Sequence, residues 1–338
     1  MTRRLWVFAV VLSLVALPVF AKRRAITPGG PSHCAEATLV RSTYADLLGM
    51  DAQFVYFVDE FGTLTRVPKL GGPTQELADP LDEWLPLSIA VDESYVYFGA
   101  LPFEALRMPL PGAILRVPKT GGVVSVFVSG VVTPFEVATD ATHLYWAAAG
   151  TLDFVNGTIA ADGKIERIRK DGTGRQTLAD DLSAPFGLAM DGTDVYFGQS
   201  GAATGDATMG MYRVAKTGGT TATIDDHLSV GPLVLDGNTL VFLGGTETEG
   251  GILAMEKTGG PVRTLYGAES VNGSLLVADR RAYFLEETDD GVALSSVSID
   301  APAGAVAVRA DANGDSFLLD GCAAIVNTYD GDLVRTRR

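Results

Sequence analysis

Histidine and cysteine are scarce in this chain, with three of the first and two of the second among 338 residues. His33, His143 and His227 lie far apart in sequence, and no pair has the spacing of a zinc-ligand motif. No serine sits in a G-x-S-x-G elbow, so a familiar hydrolase nucleophile is missing too. Positive charge is also in deficit: 26 Lys plus Arg stand against 41 Asp plus Glu, a formal charge of −15. Such a surface lacks the basic footprint that phosphate binding needs, which excludes nucleic acid as a partner. Strong net charge favours a soluble monomer. Long apolar runs are absent beyond the first twenty residues, and no amphipathic helix of any length can be traced.

The one apolar run has the anatomy of an export signal. "MTRR" is a basic start, "LWVFAVVLSLVAL" an apolar middle, and "VFA" a small-residue cleavage site before Lys22. Residues 1–21 therefore read as a signal peptide, since the run is shorter than the roughly 20 residues a membrane-spanning helix needs. Residues 22–33 follow as a short linker and 34–338 as a single domain. Cys34, in "PSHC", lacks the residues of a lipoprotein cleavage box. The expected product is a soluble exported protein, periplasmic or extracellular, with a mature charge of −17.

What the chain has in abundance is repetition. "GAILRVPKTGG" at 112 returns as "GTLTRVPKLGG" at 62, "GKIERIRKDGT" at 163 and "GILAMEKTGG" at 251. A second recurrent run centres on Tyr56, Tyr97, Tyr145, Tyr196, Val241, Tyr283 and Ile325, at spacings of 41, 48, 51, 45, 42 and 42. Each unit holds four short runs rich in Val, Ile, Tyr and Phe, separated by Asp-Gly or a relative, a variable loop, Lys-x-Gly-Gly and a Pro-containing link. Four strands per unit and seven units predict an all-β, seven-bladed β-propeller.

The terminal units predict how the ring closes. "GDLVRTRR" matches a third strand and leaves the last blade without its fourth, while "EATLV" near the N-terminus aligns with the fourth strands of other blades. The N-terminal strand should complete the last blade. Cys34 would then start that strand and Cys322 would lie in the first turn of the same blade, so a Cys34–Cys322 disulfide is expected in an oxidising compartment.

The repeated residues have structural readings. The glycines of Lys-x-Gly-Gly permit the positive φ of a tight turn, and the lysine beside them is expected as a solvated charge at a sheet edge. Asp51, Asp92, Asp140, Asp191, Asp236, Asp279 and Asp320 occupy the same turn in all seven units and should accept hydrogen bonds from their own turn backbone.

On "DGTDVYF", "LYWAA" and the "RVPK-x-GG" arms, the chain resembles secreted bacterial β-propeller repeat proteins and, more distantly, YWTD and TolB-like propellers, although the full YWTD tetrapeptide is absent. The resemblance implies a binding scaffold and no particular chemistry.

Function is sought where the units differ. The loops between strands two and three are enlarged in three successive blades, at 100, 147 and 198. On the same face, the links between blades carry Trp84, Phe135 and Phe186, and the loops carry Phe103 and Phe154. These are the candidate ligand-binding residues, an aromatic patch rimmed by Glu104, Asp153, Asp162 and Asp206. "DANGDS" offers Asp311, Asn313 and Asp315 at the alternate spacing of Ca²⁺ loops, with Asp330 and Asp332 on a neighbouring loop; Ser316 replaces the usual Gly and Cys322 the usual Glu. Ca²⁺ is the one cofactor the sequence offers. His227, beside Asp225 and Asp226, is the only histidine positioned for acid–base work on the loop-rich face. The leading reading is a non-enzymatic binding module for a protein, peptide or glycan, with no membrane span. The alternative is a propeller enzyme of lyase or lactone-hydrolase type with a metal-assisted site at the central channel.

Overall fold

Val55, Tyr56, Phe57 and Val58 are all buried, although a strand sends successive side chains to opposite faces. Val55 and Phe57 enter one apolar cluster, with Leu333 and Ile325, while Tyr56 and Val58 enter another, with Phe98 and Leu115. The strand is therefore covered on both sides, which is why it is apolar throughout and does not alternate with polar residues. The computed structural model describes residues 35–338 apart from 42, 46, 60, 79–82, 109, 154–157, 201–208, 246–249, 268–270, 290, 303 and 305.

Five antiparallel four-stranded sheets form blades one to five, at 47–78, 84–131, 134–182, 185–225 and 229–267. Blades six and seven share one seven-stranded sheet, because the strand Val306–Asp320 is the outer strand of one and the inner strand of the other. Its first half pairs with Gly291–Ser298, and its last residues, Phe317 to Asp320, pair with Ala323–Thr328. The predicted closure is present: Ala37, Thr38 and Val40 pair with Arg335, Val334 and Leu333. Cys322 lies in the turn between the first two strands of blade seven, and no described cysteine is free. Cys34 lies outside the described residues. Seven apolar clusters fill the seven seams between neighbouring blades. The protein is a seven-bladed β-propeller, with no α-helix among the described residues.

The turns between first and second strands define a base face, and four of the seven aspartates have the expected role there. Asp140 Oδ1 accepts from the Thr142 and His143 amides at 2.9 Å each, and Oδ2 accepts from the Tyr145 hydroxyl at 2.9 Å. Asp51, Asp92 and Asp191 make the same three bonds in their own blades.

The lysines depart from expectation. They do not point to solvent at a sheet edge; each reaches across a seam to the preceding blade's aspartate. Lys119 pairs with Asp51 at 2.5 Å, Lys170 with Asp92 at 3.2 Å, Lys216 with Asp140 at 3.0 Å and Lys257 with Asp191 at 2.7 Å. Arg338 meets Asp279 at 2.7 Å, and Lys69 closes the circle on Asp320 at 2.8 Å. Blade six has Ile299 at the lysine position, where its amide makes the equivalent backbone bond to Arg280. Arg280 itself supplies the missing cation, 2.9 Å from Asp236. The arginine of "RVPK" adds a second link, Arg66 Nη1 donating to the Lys119 carbonyl of the next blade at 2.8 Å and Arg335 doing likewise to Lys69. The motif thus joins blades as well as turning the chain.

Burial would raise the Asp51 pKa, but Lys119, the Gln53 and Phe54 amides and the Tyr56 hydroxyl outweigh it and hold the carboxyl down at about 2. Asp92, Asp140 and Asp191 are lowered by the same balance of burial against amides and cross-seam lysine.

Candidate binding face

The connections between second and third strands, and the links between blades, emerge opposite the aspartate ring. In blade two the strand Tyr95–Pro102 leads into a 3-10 turn, Phe103–Leu106, held to the incoming link by the Phe103 amide donating to the Glu83 carbonyl at 3.1 Å. Ala105 is buried beneath it, while Phe103, Leu106 and Met108 are exposed. Glu104 is exposed beside them. In blade three a two-stranded hairpin, Leu152–Asp153 with Thr158–Ile159, rises from the face. Asp162 organises its base, accepting from the Thr151 amide and hydroxyl at 2.7 Å each, so its carboxylate serves the loop and does not rim a patch. Phe154 and Asp206 lie outside the described residues.

At the channel mouth the inner strands are bent by β-bulges, where an extra residue re-aims a side chain and frees backbone N–H groups. In blade three the register shifts between Pro134 and Glu136, and in blade four between Phe186 and Leu188. Gly187 takes φ +70, and a Cβ there would lie 2.4 Å from the Gly231 carbonyl of blade five, so only glycine fits. These bulges bring Phe135 and Phe186 together from adjacent blades, ring centroids 5.8 Å apart and T-shaped at 71°. Both rings are half-buried, and neither belongs to an inter-blade cluster.

Trp84 does not join them. It begins the inner strand of blade two opposite Pro102 and packs against the cluster between blades one and two. The five predicted aromatics therefore divide into a mouth pair, Phe135 and Phe186, an exposed loop residue, Phe103, a seam residue, Trp84, and Phe154, which is not described.

Glu136 follows Phe135 and was not singled out by the sequence. The residue is half-buried as a whole, but its Oε2 is out of solvent contact and has no hydrogen-bond partner. Burial pushes its pKa up to about 7 against the opposing pull of the Leu188 and Gly187 amides.

Other candidates divide in the same way. "DANGDS" is a stretch of the strand Val306–Asp320 with a register shift between Asn313 and Phe317, so its backbone is extended and does not form the turning loop that Ca²⁺ sites of that spacing use. Asp332 lies 3.5 Å from Arg41 and its carbonyl accepts from the Thr328 amide, in the turn beside Asp330. Asp225, Asp226 and His227 have ligand atoms within 4.8 Å of one another on the link to blade five. His227 Nδ1 is 2.6 Å from Asp226, both largely exposed, which makes a solvated pair of small energy. An open groove of about 770 Å³ on the base face is lined by Asp51, Asp92, Asp140, Lys119 and Lys170, whose charges are already paired across the seams.

No family model matches the chain, and no curated protein matches it in sequence. Solved structures similar to it include YCF48 bound to D1 peptide, at TM-score 0.60 and 10% identity, covering 93% of this chain and 100% of that one. The computationally designed Ika8 protein is similar at TM-score 0.55 and 16% identity, covering 89% and 99%. An oligogalacturonate lyase in complex with manganese is similar at TM-score 0.56 and 13% identity, covering 77% of each chain. At these identities the likeness is one of fold, and the fold hosts both binding proteins and enzymes.

Proposed function

We propose that this propeller is an exported binding module that recognises a protein or peptide partner through the loop-rich face of blades two to four. The observation that carries this reading is the Phe135–Phe186 pair, half-buried at the mouth and absent from all seven seam clusters. Rings that serve packing alone would be buried in a seam, as Phe98 and Phe197 are. Aromatics left partly open bury large area on binding at small entropic cost, which suits them as anchors. Phe103, Leu106 and Met108 extend the apolar surface over blade two. The similar fold of YCF48 bound to D1 peptide lends support.

The test is capture of partners from an extracellular or envelope extract by the full mature chain and by Phe135→Ala, Phe186→Ala and Phe103→Ala. Loss of a true anchor should weaken capture by about 2 kcal/mol while the melting temperature stays near wild type. Capture that survives all three substitutions would exclude this face. The metal-assisted enzyme reading draws on Asp225, Asp226 and His227, and Mn²⁺ or Ca²⁺ that raises the melting temperature of wild type but not of Asp226→Ala would favour it.

A further inference from the structure

We infer that the channel mouth between blades three and four is a cation-recognition site, built to take a Lys or Arg side chain of the partner between the Phe135 and Phe186 rings and the Glu136 carboxyl. The inference rests on the binding reading above and names the chemistry of the group that is bound. Glu136 is joined in the chain to Phe135, and its carboxyl lies against the backbone that follows Phe186. A T-shaped pair leaves the faces of the edge-on ring uncovered by its neighbour, and aromatic faces attract cations most strongly where water is excluded.

The carboxyl itself needs a partner. Oε2 is buried with no hydrogen bond, and a buried oxygen in that condition is costly unless it binds a proton or a positive donor. From blade four, only the backbone amides of Leu188 and Gly187 act on the group, and no charged side chain among the described residues contributes to its shift. The uncompensated burial that holds its pKa near 7 is what an incoming ammonium or guanidinium would relieve. An anionic ligand, or a neutral one without a donor, would leave the cost in place. The overall charge of −15 draws cations to the protein from a distance and repels anions.

The site differs from the aspartate ring on the base face, where every carboxylate already has its lysine or arginine. Glu136 differs in that its Oε2 is buried without a hydrogen-bond partner and that it follows directly in the chain on one of the two half-buried rings.

The experiment is a carboxyl-carbon NMR titration of Glu136 in the full mature chain with three probes: Nα-acetyl-lysine methylamide, Nα-acetyl-arginine methylamide and, as the uncharged control, Nα-acetyl-norleucine methylamide. The expected result is saturable binding of a cationic probe that lowers the Glu136 pKa by about one unit or more, with no such change from the norleucine probe. Glu136→Gln keeps the shape of the side chain and an acceptor for the blade-four amides; it should weaken the cationic probe by about tenfold without lowering the melting temperature. Equal binding of the norleucine probe, or a Glu136 titration unmoved by either cation at tens of millimolar, overturns the inference. If the cations fail while partner capture remains sensitive to Phe135→Ala and Phe186→Ala, the face binds by other chemistry. If capture is also insensitive to both, the binding reading fails with it.

Discussion

On the base face, each of seven seams carries a carboxylate from one blade against a cation from the next. On the loop-rich face, blade one has a short turn capped by Asp59, blade two a 3-10 turn and blade three a small hairpin. The base solves one joining problem seven times, five of them with the same pairing of lysine and aspartate and two with an arginine. Its charges are all matched and its groove offers little for a ligand to pair with. The mouth carries residues that most blades lack: a phenylalanine that only blades three and four have at that position, and a buried carboxyl in blade three alone. Regularity here marks what holds the ring together, and departure from it marks what the ring presents.

The strongest way to break this comparison is at the closure. If Cys34 and Cys322 are bonded on the base face, Cys34→Ser should cost about 3 to 4 kcal/mol in a denaturant titration. Two titratable thiols in the native exported protein would show instead that strand pairing alone closes the ring. Next in size, Asp140→Ala removes the acceptor for two amides and a hydroxyl and strands Lys216 at a seam. A loss of about 2 to 3 kcal/mol is expected, with partner capture per folded molecule unchanged; impaired capture would mean the faces are not independent.

The two faces should also titrate in opposite senses. Asp51, Asp92, Asp140 and Asp191 have folded pKa values below their unfolded ones, so their contribution is present above about pH 4 and is lost as pH falls through about 2 for Asp51. Glu136 has a folded value near 7, raised from 4.5, so its contribution is complete below 4.5 and is lost as pH rises through 7. Between pH 5 and 8 the wild-type melting temperature should therefore fall relative to Glu136→Gln. Parallel curves would remove the buried carboxyl from the account. The smallest effect is at the exceptional seam: Arg280→Ala should cost about 0.5 to 1 kcal/mol, since Arg280 is partly exposed. Adding Ile299→Lys should recover some of that loss if the two positions are alternative sources of one cation.

The fold was legible because each blade repeats the same strand and turn chemistry within forty to fifty residues, and the aspartate caps because their bonds span only two to five residues. The cross-seam pairs were not, because Lys216 and Asp140 are 76 residues apart and nothing local relates them. A signal did exist: blade six loses its lysine to Ile299 and gains Arg280 beside its aspartate. Trp84 stands apart from the phenylalanine pair, and its position in the repeat differs as well. Phe135 and Phe186 each stand five residues before their blade's aspartate, Asp140 and Asp191, whereas Trp84 stands eight before Asp92, which rotates it into the seam. Glu136 stands four before Asp140, where blades one, two, four and five have Leu47, Ser88, Gly187 and Pro232. Its charge was visible there, but its burial depends on blade four and had no local trace.

The strand Val306–Asp320 gives blades six and seven a shared ladder of backbone hydrogen bonds, whereas every other blade's ladder ends at its own outer strand. Amide exchange reports the smallest unit that can open. Blades one to five can each release their amides separately, but fraying blade six from its outer strand must also disturb the inner strand of blade seven, and with it the pairing of Ala37–Val40 that completes the circle. The last fifth of the chain should therefore exchange as one cooperative block that spans two blades.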